Sequence, residues 1–179
     1  TQAKILVDKL ILHGLKAEYL KYPIYDLAPS GAILNNYLRQ DNYYGLSPRE
    51  SQIIYAYNRA QYETTLLLKL ARGINIVAED YIGTGLAWGL AAGLEENFLK
   101  LINANLLKED LAFLFDGQRF LKSIEYHHQH ETNYELIARA RIAHLRRGYE
   151  FGWTIINANK SIEQIHDKIW NQVLKLLIS

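Results

Sequence analysis

Residues 72–81, Arg72-Gly73-Ile74-Asn75-Ile76-Val77-Ala78-Glu79-Asp80-Tyr81, hold the transition that decides the fold. A helical pattern stops at Arg72, Gly73 is the residue a helix C-terminus favours, and Ile74 to Ala78 is a short apolar run of strand length. Helix, glycine and buried strand in that order make half of a βαβ unit, so the strand is expected to be parallel and covered. Upstream, Ser47-Pro48-Arg49-Glu50 is a helix start, with Ser as the cap, Pro in the first turn and Glu three residues on. One long helix is expected from there to Arg72.

Further upstream, Ala17 to Tyr22 reads as a strand ended by Pro23, Ile24 to Gly31 as loop, and Ala32 to Arg39 as a short helix. Downstream, Tyr81 to Gly93 carries four glycines and reads as a loop running into a helix. Glu96 to Leu107 reads as helix, Leu111 to Phe115 as a third strand closed by Asp116-Gly117, and Trp153 to Ile156 as a fourth. Between the last two strands, Gln118 to Arg147 is helical and polar, with a break near His127 to Thr132. Ser161 caps a final helix on which Ile162, Ile165, Ile169, Trp170, Val173 and Leu177 form one apolar stripe.

This alternation predicts an α/β fold, a parallel sheet with helices on both faces. Four strands are visible. The opening residues Thr1 to Leu10 already read as helix, and the chain contains no Met, so a further N-terminal piece carrying a fifth strand is expected.

The 179 residues are of single-domain size. Lys and Arg number 20 against 19 Asp and Glu, and this formal net charge of +1 excludes the overall electrostatic footprint of a protein that binds nucleic acid polymers. Hydrophobic residues at 49% and charged ones at 22% are enough for a core and exclude a disordered chain. The absence of Cys excludes a disulfide scaffold, a zinc-thiolate site and a cysteine nucleophile. No apolar run reaches the ~18 residues of a membrane span, so a cytoplasmic location is expected.

Ligands of open α/β sheets bind at the carboxyl ends of the strands, which makes the residues just past each strand the site candidates. Glu79 and Asp80 follow the second strand. Adjacent carboxylates there either cap the next helix or serve a magnesium or general-base site of the kind phosphoryl transfer needs. On the long helix, Tyr55 and Arg59 share a face and Tyr62 is three residues on. A guanidinium beside aromatic rings suits a flat heterocycle, and equally a surface ion pair with Glu63. His127, His128, His130 and Glu131 have only weak metal-ligand spacing and read better as a polar mobile segment. Arg139, Arg141, Arg146 and Arg147 lie on the helix after it.

Taken together in order, several pieces resemble the thymidylate kinase family of P-loop nucleoside-monophosphate kinases. T-Q-A-K-I-L looks like the helix following a Walker A loop that would end just before Thr1. Y-P-I-Y resembles F-P-R-Y, and L-S-P-R-E-S-Q-I-I-Y-A-Y-N-R-A resembles the helix ending in F-A-x-D-R-A. R-G-I-N-I-V-A-E-D-Y resembles R-G-x-x-V-I-C-D-R-Y, D-L-A-F-L-F-D resembles D-L-T-x-x-L-D, and I-N-A-N-K-S-I-E-Q-I resembles I-D-A-x-x-S-I-E-E-V.

The resemblance implies a three-layer P-loop NTPase fold in a single domain over residues 1–179, with a lid at 118–147. It also implies transfer of the ATP γ-phosphate to dTMP with Mg2+ in attendance, and allows a homodimer, with no membrane or nucleic acid polymer as partner. By the same resemblance Tyr55 stacks on the thymine, Arg59 bonds its edge, and Tyr25 and Trp88 lie by the sugar. Glu79 supports magnesium with Asp80 beside it. Thr1, Asn157, Asn159 and Lys160 lie at ATP, and Arg139 and Arg141 belong to the lid that closes over the phosphates.

Two positions depart from the pattern. The arginine of F-P-R-Y is Ile24 and that of D-R-Y is Asp80, which removes two charge-assisted phosphate bonds of about 1.5–3 kcal/mol each. Lys21, Arg39 or Arg49 is the available substitute, with Arg49 favoured because it opens the base-binding helix. Two alternatives stay open: a deoxynucleoside kinase acting on thymidine, with Asp80 as base, and a P-loop protein that binds nucleotide without transfer.

Overall fold

The structure, a computed structural model, describes residues 2–118 and 134–178. Its elements alternate as expected: α1 (Gln2–Leu12), β1 (Lys16–Lys21), α2 (Ser30–Arg39), α3 (Pro48–Ala71), β2 (Ile74–Glu79), α4 (Ile82–Ala91), α5 (Glu96–Ile102), β3 (Phe113–Asp116), α6 (Tyr134–Glu150), β4 (Thr154–Asn157) and α7 (Ile162–Leu177). All four expected strands are present, each within two residues of its predicted start. They form two parallel pairs, β1 with β2 and β3 with β4. Among the described residues nothing pairs with the facing edges of β2 and β3, and a cavity of about 600 Å3 lies between the pairs.

Helices cover both faces. α1 and α7 pack together and against the strands, while α3 packs on β2, α6 packs on β3, and α4 lies between α3 and α6. Leu6 and Leu10 of α1 meet Ile165, Ile169, Trp170 and Val173 of α7 and Ile156 of β4, with Val77 and Phe113 from the two sheets packed against them. One apolar layer thus ties both strand pairs together. The outer members of the α7 stripe, Ile162 and Leu177, stay exposed at the helix ends.

The long helix begins as read. The Ser47 hydroxyl accepts from the Glu50 amide while the Glu50 carboxylate accepts from the Ser47 amide, a complete capping box. Ser161 does the same with Gln164 on α7. Two expectations need correction. The glycine-rich stretch read as loop is helix from Ile82, because its glycines are contact points: a Cβ at Gly83 would overlap the Trp153 indole, and one at Gly89 would come within 2.5 Å of Leu99. α5 stops at Ile102 and not Leu107, because the Asn103 side chain turns back to donate to the Leu99 carbonyl at 2.9 Å. No helix among the described residues is long and apolar enough to cross a membrane.

Candidate active site at the carboxyl ends of the strands

Within each strand pair, parallel register sets candidate residues side by side at the carboxyl ends. Lys21 pairs with Glu79, and Asp116 pairs with Asn157. Strand alternation sets Tyr19 and Lys21 on one face of β1, two residues apart. Tyr19 donates its hydroxyl to Glu79 Oε2 at 2.8 Å, and Lys21 Nζ is 3.9 Å from the same oxygen. Burial and the bond to Glu79 push the Tyr19 phenol up to about 12, so it stays a donor.

Asp80 follows with φ of 62°, the left-handed region. Its carboxylate is 4.0 Å from Lys21 Nζ. Protein packed around it raises its pKa, while Lys21, His144 and a bond with Thr84 pull it down and Glu79 adds to the rise. Among the described residues no three His, Cys, Asp or Glu side chains gather into a metal cage. A single positioned carboxylate fits Mg2+ that arrives on nucleotide phosphates, because Mg2+ keeps several waters and takes one or two protein carboxylates.

The wall beside these carboxylates comes from the loop after β1, from α3 and from α4. Asn58 is fully buried and clamps the loop: its Oδ1 accepts from the Ile24 amide at 2.8 Å, and its Nδ2 donates to the Ile24 carbonyl at 2.9 Å and to Ser30 Oγ at 2.8 Å. The clamped loop carries Tyr25, whose hydroxyl accepts from Arg39, and the Arg39 guanidinium also lies 4.9 Å from the Tyr25 ring centre. Tyr55 meets Tyr37 edge-on at 6.5 Å, and its surroundings hold its hydroxyl well above the usual range through burial.

Arg59 is 3% exposed, and burial lowers its guanidinium to about 10, against the pull of Tyr81, Tyr55, Tyr22 and Asp80. It remains a cation at neutral pH. Its Nη1 donates to Asn103 Oδ1 at 2.9 Å, and its Nε is buried without a partner among the described residues. Gly85 gives it room, since a Cβ there would come within 2.6 Å of Nη2. Trp88 of α4 stands edge-on to His144 of α6 at 6.3 Å. Arg49 is placed differently from the others: its guanidinium lies 3.6 Å over the Phe98 ring of α5.

At the end of the second strand pair, Arg141 holds Asp116 with two bonds of 2.7 and 2.8 Å, which lowers the Asp116 carboxyl and raises the guanidinium. Asn159 Oδ1 accepts from the Gln118 amide at 2.9 Å, and Asn157 Oδ1 accepts from the Asn159 amide at 2.9 Å. Lys160 is exposed beside them. A cavity of about 690 Å3 opens here, lined by Asp116, Arg141, Asn157, Asn159 and Lys168. Arg139 donates to the Ala91 carbonyl at 3.0 Å, pinning α6 to the end of α4. Thr1, His127, His128, His130 and Glu131 lie outside the described residues.

Asp80, Tyr55 and Arg59 are thus within electrostatic reach of one another, with Glu79 beside Asp80, while Asn157, Asn159 and Arg141 gather at the second cavity. The sequence reading missed Tyr19, Asn58 and Asn103. Strand alternation from Lys21 points to Tyr19, and Asn58 directly precedes Arg59. Asn103 has no local pattern to announce it.

The family model described as thymidylate kinase matches residues 1–169. A thymidylate kinase of Dictyostelium discoideum is 28% identical over 172 residues, covering 94% of this chain and 76% of its own length. One of Homo sapiens is 28% identical over 177 residues, covering 94% and 81%. Among solved structures, a thymidylate kinase of Candida albicans superposes with a TM-score of 0.76 at 22% identity, covering 97% of this chain and 84% of that one, which speaks for a shared fold. With a family match over nearly the whole chain, and motif positions at the carboxyl ends of parallel strand pairs, this chain belongs to the thymidylate kinase family.

Proposed function

We propose that the protein is an ATP-dependent phosphotransferase that converts dTMP to dTDP. The observation that carries this is the placement of Asp80, directly after the Tyr19-held Glu79 at the end of β2, within electrostatic reach of Tyr55 and Arg59. The family match and the thymidylate kinase relatives support the same acceptor and donor.

In this reading Tyr55 stacks on the thymine, Arg59 bonds its edge, and Tyr25 and Trp88 border the sugar. Glu79 supports Mg2+, which supplies charge neutralisation of the transferring phosphoryl group. Asn157, Asn159 and Lys160 line the adenine side, with Thr1 toward the donor phosphates. Arg139 and Arg141 belong to the 118–147 lid region of one domain, and Arg141 would exchange Asp116 for donor phosphate as the lid closes.

The acceptor phosphate needs a cation in place of the arginines absent at Ile24 and Asp80. Arg39, at the end of α2 and against Tyr25, is better placed than Arg49, which rests on Phe98. Lys21 stands between the two carboxylates and screens them from that phosphate. Exposed Ile53, Tyr57, Leu67 and Leu68 along α3 support a second copy of the chain as partner, and the cytoplasm is the expected compartment.

The test is a side-by-side assay with dTMP and thymidine at saturating ATP. Turnover with dTMP is expected. Turnover with thymidine alone makes Asp80 the base of a nucleoside kinase, and turnover with neither, alongside measurable ATP binding, leaves a binding protein.

A further inference from the structure

Arg59 is a buried cation that feels the Asp80 carboxylate and bonds the Asn103 amide. Such a group is costly unless its donors are met, and it has five of them in a fixed planar fork. One is met by Asn103, which is itself 6% exposed. The orientation of that amide is set from its other side. Asn103 Nδ2 donates to the Leu99 carbonyl at 2.9 Å, so Oδ1 is the atom left to face the guanidinium. Leu99 is fully buried and packs on Gly89 of α4, which makes the anchor rigid. The chain of bonds runs from a helix carbonyl through Asn103 to one tip of Arg59, and leaves the remaining donors, Nε among them, for something else.

We infer that Asn103 is a positioning residue for acceptor recognition: it holds one tip of the Arg59 guanidinium so that the remaining donors meet the acceptor base in one register. A freely rotating guanidinium could bond a carbonyl oxygen or a ring nitrogen with similar ease. A guanidinium tied at Nη1 presents its fork in one plane, and a base that offers an acceptor in that plane is selected over one that offers a donor. The inference rests on the reading of Arg59 as the base-binding residue, and it adds specificity to that reading through a residue that touches no substrate.

The experiment measures steady-state kinetics for dTMP and for dCMP with wild type, Asn103→Ala and Asn103→Asp, alongside thermal melts. Losing a hydrogen bond to a charged group predicts that Asn103→Ala raises the dTMP KM about tenfold or more, with kcat and the ATP KM within about twofold, and narrows the preference for dTMP over dCMP. Asn103→Asp keeps an oxygen facing Arg59 and is expected to stay within about threefold of the wild-type dTMP KM. It also serves where Asn103→Ala does not fold. A lower melting temperature in Asn103→Ala with wild-type KM and preference overturns the inference, leaving Asn103 a packing residue. Equal KM losses in both variants overturn it too, because the bond to Leu99 would then be what matters. Absence of dTMP turnover in the wild type overturns the functional reading itself and this inference with it, a result distinct from either variant outcome.

Discussion

Replacing Asn58 by alanine is expected to loosen the loop that carries Tyr25 and, with it, acceptor binding. Asn58 is wholly buried and makes three bonds, two to the Ile24 backbone and one to Ser30. At about 1 kcal/mol net for each, their loss comes to about 3 kcal/mol. The penalty for orphaned groups is small, because Ile24 is half-buried and reaches water, and Ser30 keeps its bond to Gln61. In a domain of this size each kcal/mol moves Tm by about 2–4 °C, so a fall of about 6–12 °C is expected. The same variant should raise the dTMP KM more than the ATP KM, since in the proposed function Tyr25 on this loop borders the acceptor sugar. Differential scanning calorimetry and acceptor titrations read the two effects. A Tm within about 2 °C of wild type and an unchanged dTMP KM would refute the idea that this side chain holds the loop.

Three further outcomes follow from single sites. Glu79→Gln keeps the bond from Tyr19 but loses the charge, so turnover should fall by orders of magnitude while circular dichroism stays native; near-normal turnover would sink the magnesium role. Glu96 is held down to about 2 by Lys100 first and then Arg147. A depressed folded-state carboxylate adds stability above its ordinary range that disappears as pH falls toward about 2, so urea melts of Glu96→Gln should show a flatter acid limb than wild type between those limits. Superimposable pH profiles for the two proteins would count against the pairing. Gly83→Ala forces a methyl into the Trp153 indole and should cost about 1–3 kcal/mol by overpacking, and an unchanged Tm would mean that the indole swings aside freely.

Three of the strands were legible as short apolar runs and β1, Lys16–Lys21, by the Pro23 that ends it, and those signals are local. α4 was not, because glycine lowers helix propensity and the reason for tolerating it lies elsewhere in the chain. Gly83 makes room for Trp153 and Gly85 for Arg59, contacts that no window around residue 85 contains. The site divides the same way. Glu79, Asp80 and Asn157 could be read because strand ends are where ligands bind, and each lies at the carboxyl end of its own strand pair. Asn103 could not be read, because it is 44 residues from Arg59 and a lone asparagine after a helix looks like a turn.

Ile24 and Asn58 connect these two kinds of legibility. Read by side chain, Ile24 is a lost phosphate ligand in Y-P-I-Y. Read by backbone, it keeps a fixed position, since Asn58 takes both its amide and its carbonyl. Asn58 thus holds the loop through backbone groups that every residue but proline supplies at position 24, so a substitution there is expected to alter charge without moving Tyr25. Charge can be restored from a neighbouring element when the scaffold is held by other bonds, and Arg39, reaching from the last turn of α2 onto the Tyr25 ring, puts a guanidinium on that same loop. A motif can thus lose its charged residue while the loop that carried it keeps its place.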